Sequence, residues 1–506
     1  MLLTFVILYL LVSIGIGLVA ALRVHDSRDF VLAGRTLPLY VVTATVFATW
    51  FGSETVLGIS STFLKDGLRG IVSDPFGSSL CLIFVGLFFA AKLYRMDLLT
   101  IGDYYRRRFG PAVELCISLA IVVSYLGWLS AQIVVIGLVF EVVTAGAISL
   151  TWGILIGAVV VLIYTLWGGM FSVAWTNFFQ MVIIILGLFY IAWIIADKAG
   201  GVGTVVSHAH AAGKFEFWPA PEAKDVLAFI AAAVTMMFGS IPQQDVFQRV
   251  TSARSERIAV VGSVAGGTLY FLFAFVPIFL AYSAFLIDPA MVERLMEKDH
   301  QHILPTLVME HTPLFAQIIF FGALLSAVMS TASGTLLAPS VTFTENILKH
   351  FVIKRELTDR QFLWLMRGVV AAFSVVVTLF SLKTDSTIYE LVVGAYKVTL
   401  VAAFVPLVAG LYWRHATTQG ALAAIVFGVG IWVPLEIFAP DGLWPPQLAG
   451  LLGSVFGMLA GSLLPQWIGH AGVAMRQAHE HATHAHAAAA GTHHVPHDGE
   501  HHRKPH

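Results

Sequence analysis

Glu54 of this 506-residue chain is a carboxylate inside a long apolar segment, where an ionised group is costly unless it faces a cavity or a partner. Glu54 lies in the polar interruption Thr49–Thr55 of the second apolar segment. Two interpretations are open. Glu54 either caps the half-helix that follows or supplies a counter-charge to a cationic ligand or a metal cation. By contrast, Asp74 directly precedes Pro75, which is typical of a structural helix N-cap.

An amine stands within the eleventh apolar segment. Lys397 lies in its middle, about two helical turns after Glu390 and on the same face of a helix. This spacing predicts an internal ion pair, although such a pair is weak evidence of stability. The alternative is that a fixed ammonium group changes how the protein couples to ions.

The ninth apolar segment carries a hydroxyl-rich cluster at 326–335. Small residues of this kind allow membrane helices to pack closely. They also offer neutral oxygen atoms, which are the ligands that a hard cation such as Na⁺ prefers. The residue types alone do not decide between packing and ion binding.

Two apolar segments are interrupted in a similar way. The second contains Phe51-Gly52-Ser53, and the seventh contains Phe238-Gly239-Ser240 followed by Pro242. Paired Gly- or Pro-interrupted spans in the two halves of a chain indicate a ligand site at the bilayer midplane, as in secondary transporters. Unwound backbone there frees carbonyl groups for a cation.

The composition requires a membrane to position these residues. Of all residues, 58% are hydrophobic and 12% are charged, about half the charged share of a soluble domain. Stretches of about 20 apolar residues predict about 13 transmembrane helices. We expect them near 2–22, 39–64, 74–91, 113–143, 147–166, 172–196, 226–248, 257–286, 313–343, 361–382, 386–412, 417–439 and 444–467.

Charge distribution predicts the orientation and excludes some functions. Most of the 29 Lys and Arg residues, Arg249 among them, fall in segments that are cytoplasmic if the N-terminus is outside and the C-terminus inside a plasma (inner) membrane. A net charge of −1 argues against nucleic acid. No nucleophile–base spacing indicates an enzyme.

The chain divides at about residue 470. Residues 1–469 form the predicted transmembrane domain, and 470–506 hold most of the 19 histidines without apolar periodicity. The second segment is predicted to be a disordered cytoplasmic tail. It is either incidental low-complexity sequence or a weak site for transition metals.

Several motifs resemble the sodium:solute symporter family. They are Ala33-Gly34-Arg35-Thr36-Leu37-Pro38, Gly168-Gly169-Met170 with Ala174-Trp175-Thr176-Asn177-Phe178-Phe179-Gln180, and Ala327-Val328-Met329-Ser330-Thr331. Within that family, further motifs are most similar to the high-affinity choline transporter branch. These are 48–52, 239–244 with 247–250, and 364–367.

The resemblance implies an all-α, LeuT-type fold with two inverted five-helix repeats, in spans two to six and seven to eleven. It also implies a sodium site. The carbonyl groups of Thr49, Gly52 and Ala327 and the hydroxyl groups of Ser330 and Thr331 would form it. Asn177 stands where the family signature has Asp, so we expect altered ion coupling, with Lys397 and Glu390 as further candidates for that role.

For the substrate, the resemblance implies an aromatic cage that holds a quaternary ammonium by cation–π attraction. Trp50 and Trp128 stand at two matching positions, whereas Ser78 and Gln243 stand where aromatic residues are expected. Glu54 would then supply electrostatically what the missing rings do not. These five residues are the predicted substrate site.

The sequence as a whole predicts a sodium-coupled symporter that imports a small organic solute by alternating access, with a cationic amine as the first candidate. The alternatives are a symporter for an amino acid or a carboxylate with altered ion coupling, and a solute sensor built on a transporter fold. The expected partners are the solute, Na⁺ and the lipid bilayer.

Overall fold

The protein is described by a computed structural model that covers residues 1–298, 300–353, 355–384 and 386–468. The predicted tail at 470–506 and metal binding by its histidines lie outside the described residues.

The described chain is helical almost throughout. Its α-helices are α1 Leu2–Ala21, α2 Ser27–Leu32, α3 Leu39–Phe47, α4 Ile59–Asp66, α5 Ser78–Phe84, α6 Ala90–Arg95, α7 Ile101–Phe109, α8 Pro111–Val143, α9 Leu150–Lys198, α10 Val202–Ala211, α11 Ala223–Gly239, α12 Gln244–Thr251, α13 Glu256–Ile287, α14 Pro289–Lys298, α15 Ile303–His311, α16 Leu314–Thr342, α17 Asp359–Ser381, α18 Ile388–Thr399, α19 Val405–Tyr412, α20 Thr418–Phe438 and α21 Pro446–Leu463.

Shorter helical segments with a wider or tighter pitch connect several of these helices. The π-helical ones are Glu54–Gly58, Val72–Gly77, Val85–Phe89, Phe343–Val352 and Leu400–Phe404, and the 3₁₀ segments are Ala33–Arg35, Gly67–Ile71 and His300–His302. Such irregular turns are frequent at functional sites.

Ten helical segments of the described chain are long and apolar enough to cross a membrane, and the bent pair α11 and α12 makes eleven. Two of the ten are too long for one crossing. Leu150–Lys198 would extend about 74 Å as one straight helix, against a hydrocarbon core of about 30 Å. Glu54–Arg95 has 42 residues, about 63 Å as one straight helix, and its helical backbone is interrupted at Gly67, which has φ 66° and ψ −156°. Counted as two crossings each, they bring the total to about 13, as predicted.

The break in α9 lies at Gly169, within the predicted Gly-Gly motif. Its backbone has φ 49° and ψ −138°, in the left-handed half of conformational space that favours glycine. The backbone of α2 presses against this turn, and a Cβ atom at Gly169 would overlap the carbonyl oxygen of Phe30. The motif therefore turns the chain from the fifth span into the sixth.

The two predicted interruptions are confirmed. In the second span α3 ends at Phe47 and helix resumes at Glu54. In the seventh, α11 ends at Gly239, α12 starts at Gln244, and the two axes differ by 47°. Pro242 lies in the second break, where it has no N–H to leave unpaired.

The start of α3 and the end of α12 are joined through the backbone. Leu37 N–H donates to the Ser252 carbonyl at 3.1 Å, and Arg254 N–H donates to the Leu37 carbonyl at 3.0 Å. These bonds form the isolated parallel bridge between Leu37 and Ala253, the only β-pairing among the described residues. The two broken spans are thus tied at one end and open into irregular backbone at the other.

Candidate functional site

Glu54 begins the helical segment that follows the first break, and its side chain is 1% exposed. Its carboxylate accepts hydrogen bonds from Trp128 Nε1 at 3.2 Å and Gln132 Nε2 at 2.8 Å, both on α8. No basic side chain of the described residues pairs with it. Neutral donors satisfy the carboxylate oxygens, and no positively charged group of the described residues offsets the charge that Glu54 carries when it is ionised.

Two tyrosines that the sequence analysis missed complete an aromatic group around Trp50 and Trp128. Trp50 Nε1 donates to Tyr396 OH at 2.9 Å, and the Tyr396 ring meets both tryptophan rings edge-on, at centroid distances of 6.4 Å and 5.3 Å. Tyr125 stacks on Trp128 at 5.7 Å. Trp50, Trp128, Tyr125 and Tyr396 therefore form an aromatic cluster at the break.

Gln243 lies at the base of this aromatic cluster. Its Nε2 donates to Ser124 Oγ at 3.1 Å and to Thr399 Oγ1 at 3.2 Å. Ser124 is one turn from Trp128 on α8, and Thr399 is one turn from Tyr396 on α18. Gln243 thus connects the second broken helix to both helices that carry the rings, in place of contributing a ring itself.

Ser78, the fifth predicted substrate residue, is buried but belongs to a neighbouring group. Its hydroxyl donates to the carboxylate of Asp74, which also accepts a hydrogen bond from Tyr270 OH. Asp74 has the extended backbone of a helix N-cap and Pro75 follows it, as predicted, but its carboxylate accepts hydrogen bonds from side-chain hydroxyl groups. Tyr270 OH lies 3.0 Å from Thr55 Oγ1, next to Glu54 in the chain.

The hydroxyl-rich part of α16 contacts the first break. Thr331 Oγ1 donates to the Ala48 carbonyl at 3.2 Å. A Cβ atom at Gly52 would lie 2.6 Å from Thr331 Oγ1. Ser330 Oγ donates to the Ala327 carbonyl at 2.7 Å, and Thr49 Oγ1 donates to the Thr45 carbonyl at 3.2 Å.

The five predicted sodium ligands, Thr49, Gly52, Ala327, Ser330 and Thr331, are all buried. They offer only hydroxyl and carbonyl oxygens, which suits a monovalent hard cation.

Asn177 reaches this region from the sixth span. Its Nδ2 donates to Thr45 Oγ1 at 3.1 Å, and its Oδ1 has no hydrogen-bond partner among the described residues. Asn177 therefore contacts α3 one turn before Thr49.

A buried ion pair near the same turn was not predicted. Arg249 NH1 lies 3.0 Å from Asp245 Oδ2, and both side chains are at most 2% exposed. Arg249 Nε also donates to the Thr45 carbonyl at 2.9 Å. The prediction that Arg249 lies beyond the end of the seventh span is wrong, because α12 continues to Thr251 and buries its side chain. The i, i+4 spacing of Asp245 and Arg249 is the signal that could have found the pair.

The predicted pair of Lys397 with Glu390 is also wrong. Lys397 Nζ lies 2.5 Å from Glu436 Oε1 on α20, and Trp432 Nε1 donates to the other oxygen of Glu436 at 3.1 Å. Glu390 is exposed and forms a capping box with Thr387 at the start of α18. Lys397 faces outward to α20 because its helix presents its other face to α8, so its charge is separated from the aromatic cluster.

Both breaks, α16 and the aromatic cluster fall within one recognisable region of sequence. A model of the sodium:solute symporter family matches residues 30–428. The chain belongs to the sodium:solute symporter family. The predicted resemblance is confirmed, and the protein is a sodium-coupled symporter of a small organic solute, not an enzyme.

Named relatives of this symporter carry different solutes. It is 27% identical over 446 residues to the high-affinity choline transporter 1 of Torpedo marmorata, and the alignment covers 84% of this chain and 74% of the relative. The human protein of that name is 26% identical over 453 residues. The sodium/proline symporter of Haemophilus influenzae is 26% identical over 484 residues, covering 91% and 93% of the two chains.

Solved structures support the LeuT-type fold of the symporter. A Na⁺-coupled sialic acid symporter in a substrate-bound outward-open state superposes with a TM-score of 0.75 at 18% identity, covering 91% of this chain and 97% of the other. Mhp1, a nucleobase-cation-symport-1 family transporter in a closed conformation, gives 0.52 at 16% identity, with coverage of 85% and 94%. The predicted all-α fold with inverted repeats is confirmed.

Proposed function

We propose that the solute is a small organic cation, bound between the aromatic cluster and Glu54. The observation that carries this proposal is the uncompensated carboxylate of Glu54, which is held by Trp128 and Gln132 at the first break. The faces of Trp and Tyr rings attract cations, and a desolvated contact of this kind is worth about 2 kcal/mol. A buried carboxylate beside such rings repels an anionic solute and attracts an ammonium group.

An amino acid is the second candidate, because a proline symporter matches the chain over nearly its whole length. A zwitterion would bring its own carboxylate close to Glu54. Within the contacts around Glu54, the described residues place no basic side chain to balance that second charge. The charge at the site therefore favours the cationic amine.

We further propose that Thr49, Gly52, Ala327, Ser330 and Thr331 bind the coupling sodium ion. Its ligands would come from both α16 and the first break, so an ion there would hold these elements together. Sodium would then favour one state of the alternating-access cycle only through its higher affinity for that state. Transport would run inward across the plasma membrane, with the N-terminus outside and the C-terminus in the cytoplasm. Metal binding by the histidines at 470–506 stays a prediction.

Uptake into proteoliposomes under an inward Na⁺ gradient tests both proposals. A panel should contain a quaternary amine, a primary amine, an amino acid and a carboxylate of similar size. We expect uptake of the amines, stimulated by the Na⁺ gradient. Uptake of the amino acid or the carboxylate alone would contradict the cation proposal.

The same assay tests the sodium ligands. The double variant Ser330→Ala with Thr331→Ala removes two neutral oxygens, and we expect it to abolish Na⁺-stimulated uptake. Ser326→Ala is the matched control, because Ser326 lies on the same helix but its hydroxyl contacts Tyr9. Undiminished uptake by the double variant would contradict the assignment.

A further inference from the structure

A second buried carboxylate of the described chain lacks a counter-charge. Asp74 is 1% exposed and lies where the backbone is extended, at φ −143° and ψ 123°. One oxygen, Oδ1, accepts hydrogen bonds from Ser78 Oγ and Tyr270 OH. The other oxygen, Oδ2, has no hydrogen-bond partner among the described residues. No basic side chain in that part of the chain pairs with it.

This arrangement lacks a positive charge. A buried carboxylate costs much free energy unless it is paired and hydrogen-bonded. The two hydroxyl donors favour the ionised form. They leave the second oxygen open, however, and contribute no charge. Glu54 lies near enough to repel Asp74 and adds to the cost.

The atoms around Asp74 indicate the kind of cation. Thr55 Oγ1 lies 3.0 Å from Tyr270 OH, and the Pro75 carbonyl lies 3.2 Å from Ser78 Oγ. The potential ligands are thus one carboxylate, three hydroxyl groups and a carbonyl. A set made only of oxygen atoms suits a hard cation, and its single carboxylate suits a monovalent one.

We propose that Asp74 binds a second sodium ion, with Ser78, Tyr270 and Thr55 as neutral ligands. Asp74 belongs to the third span and contacts α13 through Tyr270, whereas Ser330 and Thr331 lie on α16, which contacts the first break through Thr331. Both sites draw on the second span, the first through Thr49 and Gly52 and the second through Thr55. Their other ligands lie on different helices.

A cation at Asp74 would also act on the solute site. Thr55 Oγ1 donates to the Trp50 carbonyl at 2.6 Å, so a ligand shift at Thr55 reaches the aromatic cluster directly. A positive charge beside Asp74 would also screen Glu54 from it. The proposal builds on the sodium coupling of this symporter and adds a second ion to it.

Binding of ²²Na⁺ to the purified full-length protein without solute tests the proposal. We expect two ions per wild-type chain, one for Asp74→Asn, one for the Ser330→Ala and Thr331→Ala double variant, and none for their combination. Asp66→Asn is the matched control, because Asp66 is exposed on the same stretch of chain, and it should keep both ions. If the α16 variant keeps two ions while Asp74→Asn loses one, only the α16 assignment fails.

Tyr270→Phe keeps the ring and removes one hydroxyl, so it tests the site even if Asp74→Asn does not fold. We expect the half-saturating Na⁺ concentration of one of the two ions to rise about 5- to 10-fold. Unchanged stoichiometry and affinity in both variants would overturn the proposal. A second outcome would also overturn it: Asp74→Asn still binds both Na⁺ ions but loses uptake that is driven by a proton gradient. Asp74 would then carry a proton in the transport cycle and not bind Na⁺.

Discussion

Glu54 shows how a side chain can be well hydrogen-bonded and still electrostatically incomplete. Trp128 and Gln132 satisfy its oxygens with neutral N–H groups, so the carboxylate is held in place without being neutralised. Because the side chain is buried, water screens its charge little. A cation that reaches the aromatic cluster would therefore favour the ionised form of Glu54 and be attracted by it.

Replacing Glu54 with Gln keeps the size of the side chain and removes this charge. We expect the apparent affinity for a cationic amine to fall about 10- to 100-fold, in line with a lost charged contact. The affinity for a neutral compound of the same shape should change far less. Competition against uptake measures both.

Glu390→Gln is the control for this prediction, because Glu390 is exposed and Gln preserves its capping box. Equal losses for the charged and the neutral compound would show that Glu54 has a structural role only.

Single residues were predictable where the sequence marks them. Glu54 and Trp50 stand out because they fall in a polar break of an apolar span. Tyr125 and Tyr396 carry no such mark among the many aromatic residues of the chain. Lys397 forms its ion pair with Glu436 on another helix, and the residue spacing within one helix does not reveal a contact between two helices.

At the scale of elements, Gly169 separates two crossings that would otherwise form one helix. Gly169→Ala would place a methyl group against the Phe30 carbonyl at a positive φ. We expect a loss of about 1–3 kcal/mol in stability, since a strained non-glycine backbone costs that much. Thermal unfolding of the purified protein in detergent measures it.

Gly368→Ala provides the control, because Gly368 lies within α17 and a Cβ atom there would meet no atom within 4 Å. Alanine is favoured over glycine in a helix by about 0.5–1 kcal/mol, so this variant should be as stable as the wild type or more so. Equal destabilisation by both substitutions would contradict the role of the Gly169 turn.

The helix breaks were predictable from the sequence where glycine, serine and proline interrupt apolar runs. Both broken helices lie where Phe-Gly-Ser occurs, since these residues weaken a helix that lipid would otherwise enforce. The π-helical segments, such as Val85–Phe89, were not predicted. Their sequences are as apolar as regular helix, so packing against neighbouring helices decides the wider pitch.

At the scale of the whole molecule, the basic residues predict the orientation, and labelling can test it. Glu222 precedes α11 and Glu356 precedes α17, and both are exposed. In a Cys116→Ser background, a membrane-impermeant maleimide should label Glu222→Cys in intact cells. Glu356→Cys should react only after permeabilisation, because the positive-inside rule places it in the cytoplasm. The reverse pattern would overturn the proposed orientation.

The tie between α3 and α12 bears on how faithfully transport stays coupled. To part these two half-helices, the chain must break the two backbone bonds of Leu37 and the bond from Arg249 to Thr45. At about 0.5–1.5 kcal/mol each, the three bonds amount to about 1.5–4.5 kcal/mol. That makes the parted state roughly 10- to 2000-fold rarer unless bound ligands compensate. On the proposed cytoplasmic side, these bonds would keep the two half-helices together in a carrier that is empty or only partly loaded. Such a carrier lacks the ligand-binding energy needed to break them, so uncoupled passage of ions or solute would be rare.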